Sequence, residues 1–211
     1  MNDAKHLVLH EEHAAAGGRF APFAGYAMPM RYTTIKDEHR CVRERAGLFD
    51  VSHMGEVFVR GPEAVSAVNR LITNDLGSLA NGRALYTAMC TPDGGIVDDL
   101  IVYRLADDEV LIVVNAANRD KDVAWIHEHL EGDATATDES DAWVQLALQG
   151  PLALDIASRS GDAFSEIPAP FAVTKQTIGG EPALVARTGY TGEDGLECYV
   201  SPQAAPGLVK A

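Results

Sequence analysis

Two stretches of the chain share one order of apolar and polar positions: a strand pattern, a Gly-Pro pair and a helix pattern. In GEVFVRGPEAVSAVNRLI, at residues 55–72, Val57 and Val59 alternate with polar residues as in a half-buried strand. Gly61 breaks the strand, and Pro62 suits the first helical position because its missing N–H costs nothing there. The helix pattern that follows has an apolar stripe of Val65, Val68, Leu71 and Ile72.

The same order returns in VQLALQGPLALDIA at residues 144–157. Here Gly150-Pro151 precedes a predicted helix that carries Leu152 and Ile156 on one face. We interpret the two stretches as an internal duplication of an α+β unit.

Turn-forming residues follow each Gly-Pro helix. The glycine-rich positions 92–95 and 179–180 and the pair Asp107-Asp108 are typical of hairpin connections. Tight turns join antiparallel strands, whereas parallel strands need long crossovers, so the sheets should be mainly antiparallel. The predicted fold class is α+β, built from two duplicated β-GP-α-β units.

The duplication predicts two subdomains. The first is discontinuous and comprises residues 1–54 and 144–211, and the second comprises residues 55–143. A helix is predicted over residues 119–130, where three apolar residues recur at helical spacing. These are Val123, Ile126 and Leu130. Another helix is predicted over residues 34–46, preceded by FAGYAMPMRY, which its glycine and proline mark as an ordered loop.

Composition narrows the possible partners. The formal net charge of −14 argues against nucleic acid as a partner, because an anionic surface repels phosphates. No apolar run approaches the ~20 residues of a membrane span, so we expect neither a membrane-spanning segment nor a membrane partner. The three cysteines, Cys41, Cys90 and Cys198, are odd in number and far apart, which favours a reducing, cytoplasmic compartment. The histidines form no ligand set, so no metal site is expected.

Adjacent acids interrupt an apolar strand in GGIVDDLIV. Neighbouring strand residues point to opposite faces, so Asp98 and Asp99 cannot both face solvent. A carboxylate near apolar surface must be paired, hydrogen-bonded or shifted in pKa, and such groups serve as general bases or cation anchors. The alternative is a bulge beside the Gly94-Gly95 turn with both acids solvated.

Two further segments could bind a ligand. Asn115 ends an apolar strand, where its amide could either cap the next helix or contact a ligand. The glycine-rich segment RTGYTGEDGLE offers an aromatic face at Tyr190 and a carboxylate at Glu197. That pair suits a flat heterocycle with paired N–H donors, and a plain hairpin loop is the alternative.

These segments together identify a resemblance. Along nearly all of its length the chain resembles the glycine cleavage T-protein family, through seven pieces at family-like spacing. They are FAGYAMPMRY, GLFDVSHMGE, LITNDL, ALYTAMCTPDGGIVDDLIVY, VVNAAN, LQGP and RTGYTGEDGLE. The resemblance implies a T-protein-like fold in which both subdomains form one folate-binding region.

The resemblance also implies an activity. The family transfers a methylene unit to tetrahydrofolate from an aminomethyl group on the lipoyl arm of its partner, the H-protein, and releases ammonia. Asp99 matches the essential aspartate, which places it toward the ligand and leaves Asp98 facing solvent or a neighbouring strand. Glu197 matches the pterin-binding glutamate. Other positions similar to folate-contacting residues are Met54, Tyr86, Ile101, Val113, Asn115 and Tyr190.

Two departures and two alternatives accompany the resemblance. Tyr26 replaces a tryptophan common in relatives, and the family's C-terminal β-domain is missing, so we expect a C-terminally truncated chain. A non-catalytic folate-binding module is one alternative, and Asp99 is the residue that such a binder would not need. The other is a folate-linked demethylase domain, but the GxGxxG of a partner flavin domain is absent.

Overall fold

The computed structural model describes residues 4–211, apart from the side chain of Asp162. In chain order the strands are β1 (Arg19–Phe23), β2 (Tyr26–Arg31), β3 (Gly47–Asp50), β4 (Gly55–Arg60), β5 (Arg83–Cys90), β6 (Ile96–Ala106), β7 (Glu109–Val114), β8 (Thr135–Asp138), β9 (Val144–Gln149), β10 (Val173–Ile178), β11 (Glu181–Ala186) and β12 (Gly195–Val200). The helices are α1 (His10–Ala15), α2 (Ile35–Glu44), α3 (Ala64–Asn69), α4 (Arg119–His129), α5 (Ala153–Arg159) and α6 (Ala205–Lys210).

The chain divides into two compact units, each with its own five-stranded sheet. Unit 1 comprises Met1–His53, Ala142–Pro170 and Lys175–Ala211, and unit 2 comprises Met54–Asp141 and Phe171–Thr174. The strand order is β10-β11-β12-β9-β3 in unit 1 and β5-β6-β7-β4-β8 in unit 2. The paired orders reproduce the predicted duplication, and the antiparallel pairing agrees with the predicted fold class.

Each unit buries an apolar core on one face of its sheet. In unit 2 the strand residues Val57, Leu100 and Ile112 pack with Val68 and Ile126 from the helices. In unit 1 the core includes Val144, Val185 and Leu196. Burial of this apolar surface stabilises each unit at roughly 25 cal/mol per Å².

The units depart from the subdomain boundaries expected from the sequence at Met54, at residues 142–143 and, as a whole segment, at residues 171–174. Residues 171–174 fall within the stretch expected for the first subdomain but belong to unit 2. The reason is hydrogen bonding: Ala84 N donates to Phe171 O at 2.9 Å, and Val173 N donates to Gly82 O at 2.9 Å. These bonds tie the segment to the start of β5.

The structure refines both Gly-Pro helices. In α5 the buried residues are Ala153 and Ala157, whereas Leu152 and Ile156, which share one face as predicted from their spacing, are exposed. Small alanines allow this short helix to lie close to the sheet. In the first repeat, α3 begins at Ala64 and not at Pro62, because residues 61–63 form a turn.

The first fifty residues contain more strand than the sequence predicted. FAGYAMPMRY is not a loop: most of it forms the hairpin of β1 and β2, with Phe23 paired to Tyr26. The predicted helix is present as α2, and the Thr34 side chain caps it by accepting a hydrogen bond from Asp37 N at 3.2 Å. The short strand β3 was not predicted.

Candidate functional site

The strand β6 separates the two neighbouring acids onto opposite faces of the unit 2 sheet. Asp98 shares the core face with Leu100 and Val102 and is only 8% exposed. Asp99 lies on the opposite, exposed face. The expectation that Asp98 would face solvent or a neighbouring strand was therefore wrong. Alternation along β6 matches Asp98 to the even-numbered core residues, and polar partners beneath the sheet make its burial tolerable.

Asp99 is held by a phenol and an amide. Tyr86 Oη donates to Asp99 Oδ2 at 2.5 Å. Asn115 Nδ2 donates to the Asp99 carbonyl oxygen at 2.8 Å and lies 3.4 Å from Oδ1. Asn115 does not cap the following helix through its side chain, so the capping alternative was wrong. Both partners keep the carboxylate in a fixed orientation on the exposed face.

Apolar residues continue this face beside Asp99. The strand register pairs Ile101 with Tyr86 on one side and with Val113 on the other. Tyr86 is 56% exposed and Val113 only 1%, so burial increases along this row. Met54 directly precedes Gly55, which pairs with Val114, and so it stands at the same end of the sheet as Asn115. Six of the eight sequence-predicted site residues thus belong to one region of unit 2.

Asp98 is fully hydrogen-bonded beneath the sheet. Asn118 Nδ2 donates to Oδ2 at 3.0 Å, and Asp99 N donates to Oδ1 at 3.0 Å. Desolvation raises the pKa of Asp98, but hydrogen bonds from Asp122, Asn118, Asn115 and the Asp99 amide outweigh it, so the pKa is lowered. Asp98 is therefore a buried carboxylate.

Asp122, on α4, is a second buried acid that the sequence analysis missed. It is fully buried, and desolvation, the hydrogen bond with Asp98 and the charge of Asp98 raise its pKa to about 7. Lys121 Nζ forms an ion pair 3.4 Å from Oδ1, but no amide or hydroxyl in the described chain donates to either oxygen. A signal existed in the sequence, because Asp122 precedes the buried Ile126 by four residues on the same helix face.

A third buried acid lies on β4. Glu56 is 1% exposed, and desolvation raises its pKa well above the usual range, while the attraction of Arg119 lowers it only in part. Its cross-strand neighbour is Val113.

In unit 1, the glycine-rich segment forms a turn-rich loop between β11 and β12. Arg187 and Asp194 pair across its base at 2.5 Å. The Gln149 side chain fills its centre, where Nε2 donates to Thr188 O at 3.0 Å. A Cβ at Gly189 would lie 1.9 Å from the Gln149 amide oxygen, so only glycine fits there. Tyr190 stands at the tip of this loop, 96% exposed.

Glu197 lies in β12, half-buried between two donors. Gln145 Nε2 donates to Oε1 at 3.0 Å, and Thr188 Oγ1 donates to Oε2 at 2.5 Å. Gln145 Nε2 also lies 3.2 Å from Tyr199 Oη. These bonds orient the carboxylate within β12. Glu197 and Tyr190 are the two predicted site residues that unit 1 contributes.

Two absences are limited to the described chain. Across residues 4–211, no helix combines the length and apolar character that a membrane crossing requires. In the same range, no cluster of three or more His, Cys, Asp and Glu side chains is arranged to hold a metal ion.

Comparison with known proteins defines the class. The chain is 45% identical over 207 residues to an aminomethyltransferase of Bacillus velezensis, covering 98% of this chain and 57% of the relative. It is 48% identical over 196 residues to the aminomethyltransferase of Bacillus subtilis, covering 92% and 54%. The crystal structure of the glycine cleavage system aminomethyltransferase T from Bartonella henselae superposes with a TM-score of 0.88 at 34% identity, covering 98% of this chain and 56% of that one.

A more distant structure shares the fold alone. The heterotetrameric sarcosine oxidase from Corynebacterium has a TM-score of 0.54 at 16% identity, covering 81% of this chain and 85% of the matched chain.

The match to the Bartonella henselae structure shows that the architecture is that of the glycine cleavage T-proteins. The family model described as the GCVT N-terminal domain matches residues 9–211, and the chain belongs to that family. It spans little more than half the length of the curated relatives it matches.

Proposed function

We propose that this chain carries the tetrahydrofolate site and the catalytic carboxylate of an aminomethyltransferase of the glycine cleavage system. The observation that carries the proposal is the setting of Asp99. Its carboxylate lies on an exposed sheet face, oriented by Tyr86 and Asn115 and flanked by the apolar Ile101. A fixed anion beside an apolar surface suits a flat ligand on which positive charge develops.

The proposed reaction moves one carbon. The aminomethyl carbon on the lipoyl sulfur loses ammonia and then its bond to sulfur, and it forms two bonds to folate amines. Each of these amines gives up its N–H proton, one of which balances the released ammonia and the other the new thiol. The products are methylene-tetrahydrofolate, ammonia and the dihydrolipoyl arm. In this scheme Asp99 stabilises the iminium-like carbon and orients the attacking amine. Ile101 and Val113 form the apolar wall, which strengthens the electrostatic effect by excluding water.

The second proposed contact recognises the pterin. The Glu197 carboxylate can accept two parallel hydrogen bonds from an amino-pyrimidine edge, and Tyr190 offers an aromatic face. Gln145 and Thr188 would hold Glu197 in place for this contact. Met54 and Asn115 complete the set of proposed folate contacts.

The proposed donor is the lipoylated H-protein, and the proposed compartment is the cytoplasm. The three cysteines are all free, which suits a reducing compartment. The names of the relatives support the glycine cleavage system as the setting.

Replacement of Asp99 tests the catalytic role. Asp99→Asn keeps the shape and removes the charge, so single-turnover methylene transfer from lipoylated H-protein should slow by roughly 100-fold, about 3 kcal/mol. Tetrahydrofolate affinity should stay within about tenfold, because the charge acts on the cationic intermediate. Asp108→Asn, an exposed acid at the far end of the same hairpin, is the control and should transfer as wild type.

Two results would contradict this role. An Asp99→Asn rate equal to that of Asp108→Asn would remove Asp99 from the chemistry. A wild-type chain that binds tetrahydrofolate but transfers nothing would favour a non-catalytic folate-binding module.

Replacement of Glu197 tests the pterin contact. Glu197→Gln should weaken tetrahydrofolate binding by about 1–3 kcal/mol, because one charge-assisted pair of hydrogen bonds is lost. Isothermal titration calorimetry measures this change, with Glu181→Gln, an exposed acid on β11, as the control. An affinity equal to that of the control would exclude Glu197 from the site.

A further inference from the structure

The proposed catalytic carboxylate lies two residues beyond a β-bulge in β6. The pairing of β6 with β5 joins Asp98 to Met89. The next pair joins Ile96 to Cys90, so Val97 is an extra residue of β6. The side chain of Val97 packs against the apolar core of unit 2, and that of Asp98 lies on the same face. Bulges re-aim neighbouring side chains and are common next to active sites. The direction of the acids that follow therefore depends on how this bulge is held.

Within residues 4–211, β7 offers the main chain of Asp99 no backbone partner. Ala88, which is paired with Asp99 on β5, accepts a hydrogen bond from Thr73 N at 3.0 Å, so its carbonyl points away from β6. The main-chain N–H and C=O of Asp99 therefore point toward β7. The ladder between β6 and β7 ends before this position, at the pair Ile101 and Val113. The part of β6 that carries Asp99 thus depends on side chains for its hydrogen bonds on this side.

The start of α4 supplies hydrogen bonds to this part of β6. Lys121 Nζ donates to Val97 O, the carbonyl of the bulge, at 2.5 Å. Asn118 Nδ2 donates to Asp98 Oδ2 at 3.0 Å. The other oxygen of that carboxylate, Asp98 Oδ1, accepts from Asp99 N at 3.0 Å. Three consecutive residues of β6 are thus joined, directly or through one carboxylate, to two side chains at the beginning of one helix.

The position of Asn118 shows that its side chain serves the strand and not the helix. Asn118 is the N-cap residue of α4, where an asparagine side chain usually accepts a hydrogen bond from a main-chain N–H of the first turn. In the described chain its side chain makes no such bond and donates to Asp98 instead. The helix therefore gives up a stabilising cap, and the amide becomes available to hold the carboxylate beside the bulge.

We propose that Asn118 and Lys121 are positioning residues, which hold the bulge of β6 and so keep the Asp99 carboxylate in its place on the open face of the sheet. This inference rests on the proposed role of Asp99 in transfer. Neither side chain needs to contact the ligand. Because a misplacement of about 1 Å can slow a reaction by orders of magnitude, release of the bulge should lower the transfer rate far more than the affinity for folate.

Amide hydrogen exchange tests the coupling without any assay of activity. Asn118→Leu keeps the size of the side chain but removes the donor, so the Asp98 carboxylate can turn away from the Asp99 amide. Exchange of the Asp99 amide should accelerate by at least about tenfold, while that of Val102, in the fully paired part of β6, stays within about twofold. Asp120→Asn, an exposed residue of the same helical turn, is the control and should change neither amide.

Two results of this measurement would overturn the proposal. An unchanged Asp99 amide in Asn118→Leu would show that Asn118 does not hold it. Equal acceleration at Asp99 and Val102 would show that the substitution loosens the whole strand, which is a structural effect and not positioning.

Transfer kinetics test the consequence for function. Lys121→Met removes the donor to Val97 O, so single-turnover transfer to tetrahydrofolate should slow by at least about tenfold, while the affinity for tetrahydrofolate changes less than threefold. Lys121→Arg keeps a donor and should restore the rate to within about threefold of wild type. Asn118→Leu should behave as Lys121→Met, and Asp120→Asn should transfer as wild type.

The outcomes separate two failures. If the wild type transfers but Asn118→Leu and Lys121→Met match Asp120→Asn, or if Lys121→Arg is as slow as Lys121→Met, positioning by the start of α4 is overturned and the proposed function stands. If the wild type transfers nothing, the proposed function fails and the role in transfer fails with it, whereas amide exchange still decides whether α4 holds the bulge.

Discussion

Asp98 and Asp99 are identical side chains whose surroundings give them different roles. Asp99 has an exposed carboxylate with a phenol and an amide as partners, whereas Asp98 is buried and accepts hydrogen bonds from beneath the sheet. Strand alternation causes the difference, since a change of one residue reverses the face. Asp99 can therefore contact a ligand at the exposed surface, whereas Asp98 forms hydrogen bonds inside the fold.

Asp122 should make stability depend on pH. Its folded pKa is about 7, above the ordinary 3.8, so between pH ~4 and ~7 the folded state holds a proton that the unfolded state has released. Stability from this group is complete below pH ~4 and is lost as pH rises to 7. Urea unfolding at pH 5 and pH 8 should show Asp122→Asn gaining about 1–3 kcal/mol relative to wild type over that interval.

Parallel pH curves for wild type and Asp122→Asn would contradict this prediction. Glu56 also has a raised pKa, caused mainly by desolvation, and adds a decline of the same sign. Glu56→Gln is therefore the matched control, and it should leave the contribution of Asp122 unchanged.

At the residue scale, the sequence could predict which residues are candidates for the site better than it could predict which face of a strand or helix their side chains occupy. Asp99, Asn115 and Glu197 were identified because their side chains interrupt apolar strands or follow glycines. The face of Asp98 could not be derived, because strand register depends on pairing with distant β5 and β7. The burial of Asp122 could not be predicted from hydrophobicity, because it is an acid, although its spacing from Ile126 places it on the buried side of α4.

At the element scale, each sheet takes its last strand from an unexpected part of the chain. β3 lies just before β4 in sequence but pairs with β9, and β8 lies just before β9 but pairs with β4. The leading strands of the two repeats are thus exchanged. This exchange accounts for the discontinuity of unit 1.

The glycines of the two Gly-Pro pairs allow the main chain that leads into each exchanged strand to pass close by. Gly61 has φ +139°, and a Cβ there would lie 2.4 Å from Asp133 O, just before β8. Gly150 has φ +134°, and a Cβ there would lie 2.5 Å from Arg45 O, just before β3. The equivalent contacts in both repeats indicate that close backbone approach, and not only the turn, requires glycine.

Alanine at either position should therefore be costly. Gly61→Ala and Gly150→Ala should each lower the free energy of unfolding by more than about 3 kcal/mol, combining backbone strain with a clash against main chain. Gly94→Ala is the control, because its φ of +89° is strained but no atom lies within 4 Å; it should cost about 1 kcal/mol. Urea unfolding measures all three, and equal costs would show that the clash is relieved.

Local signals explain which elements the sequence could predict. The turns at 92–95, 107–108 and 179–180 were predicted because glycine and aspartate mark tight turns within a few residues. The strand β3 was missed because it has only four residues and its partner, β9, is about a hundred positions away. The β1–β2 hairpin was missed because Gly25 and Pro29 within it are typical of loops.

At the scale of the whole molecule, the chain has 31 aspartates and glutamates but only 17 lysines and arginines. Many of the arginines already form ion pairs. Examples are Arg60 with Glu139, Arg119 with Asp138, and Arg187 with Asp194. Such surface pairs contribute little, about 0–1 kcal/mol each. The excess of negative charge acts over the whole surface and opposes the compact state.

Added salt should therefore stabilise the chain, although it weakens the individual ion pairs. Between 0.05 and 0.5 M NaCl the screening length falls from more than 10 Å to about 4 Å, which removes most repulsion between separated acids. We expect the free energy of unfolding in urea to rise by about 1 kcal/mol over this range. A variant with Asp120→Asn, Glu128→Gln and Glu181→Gln, all exposed, reduces the net charge of −14 by three and should show a smaller rise. Sucrose stabilises without screening and should act equally on both chains. A salt response that is negative, or equal in the variant, would mean that the ion pairs outweigh the net repulsion.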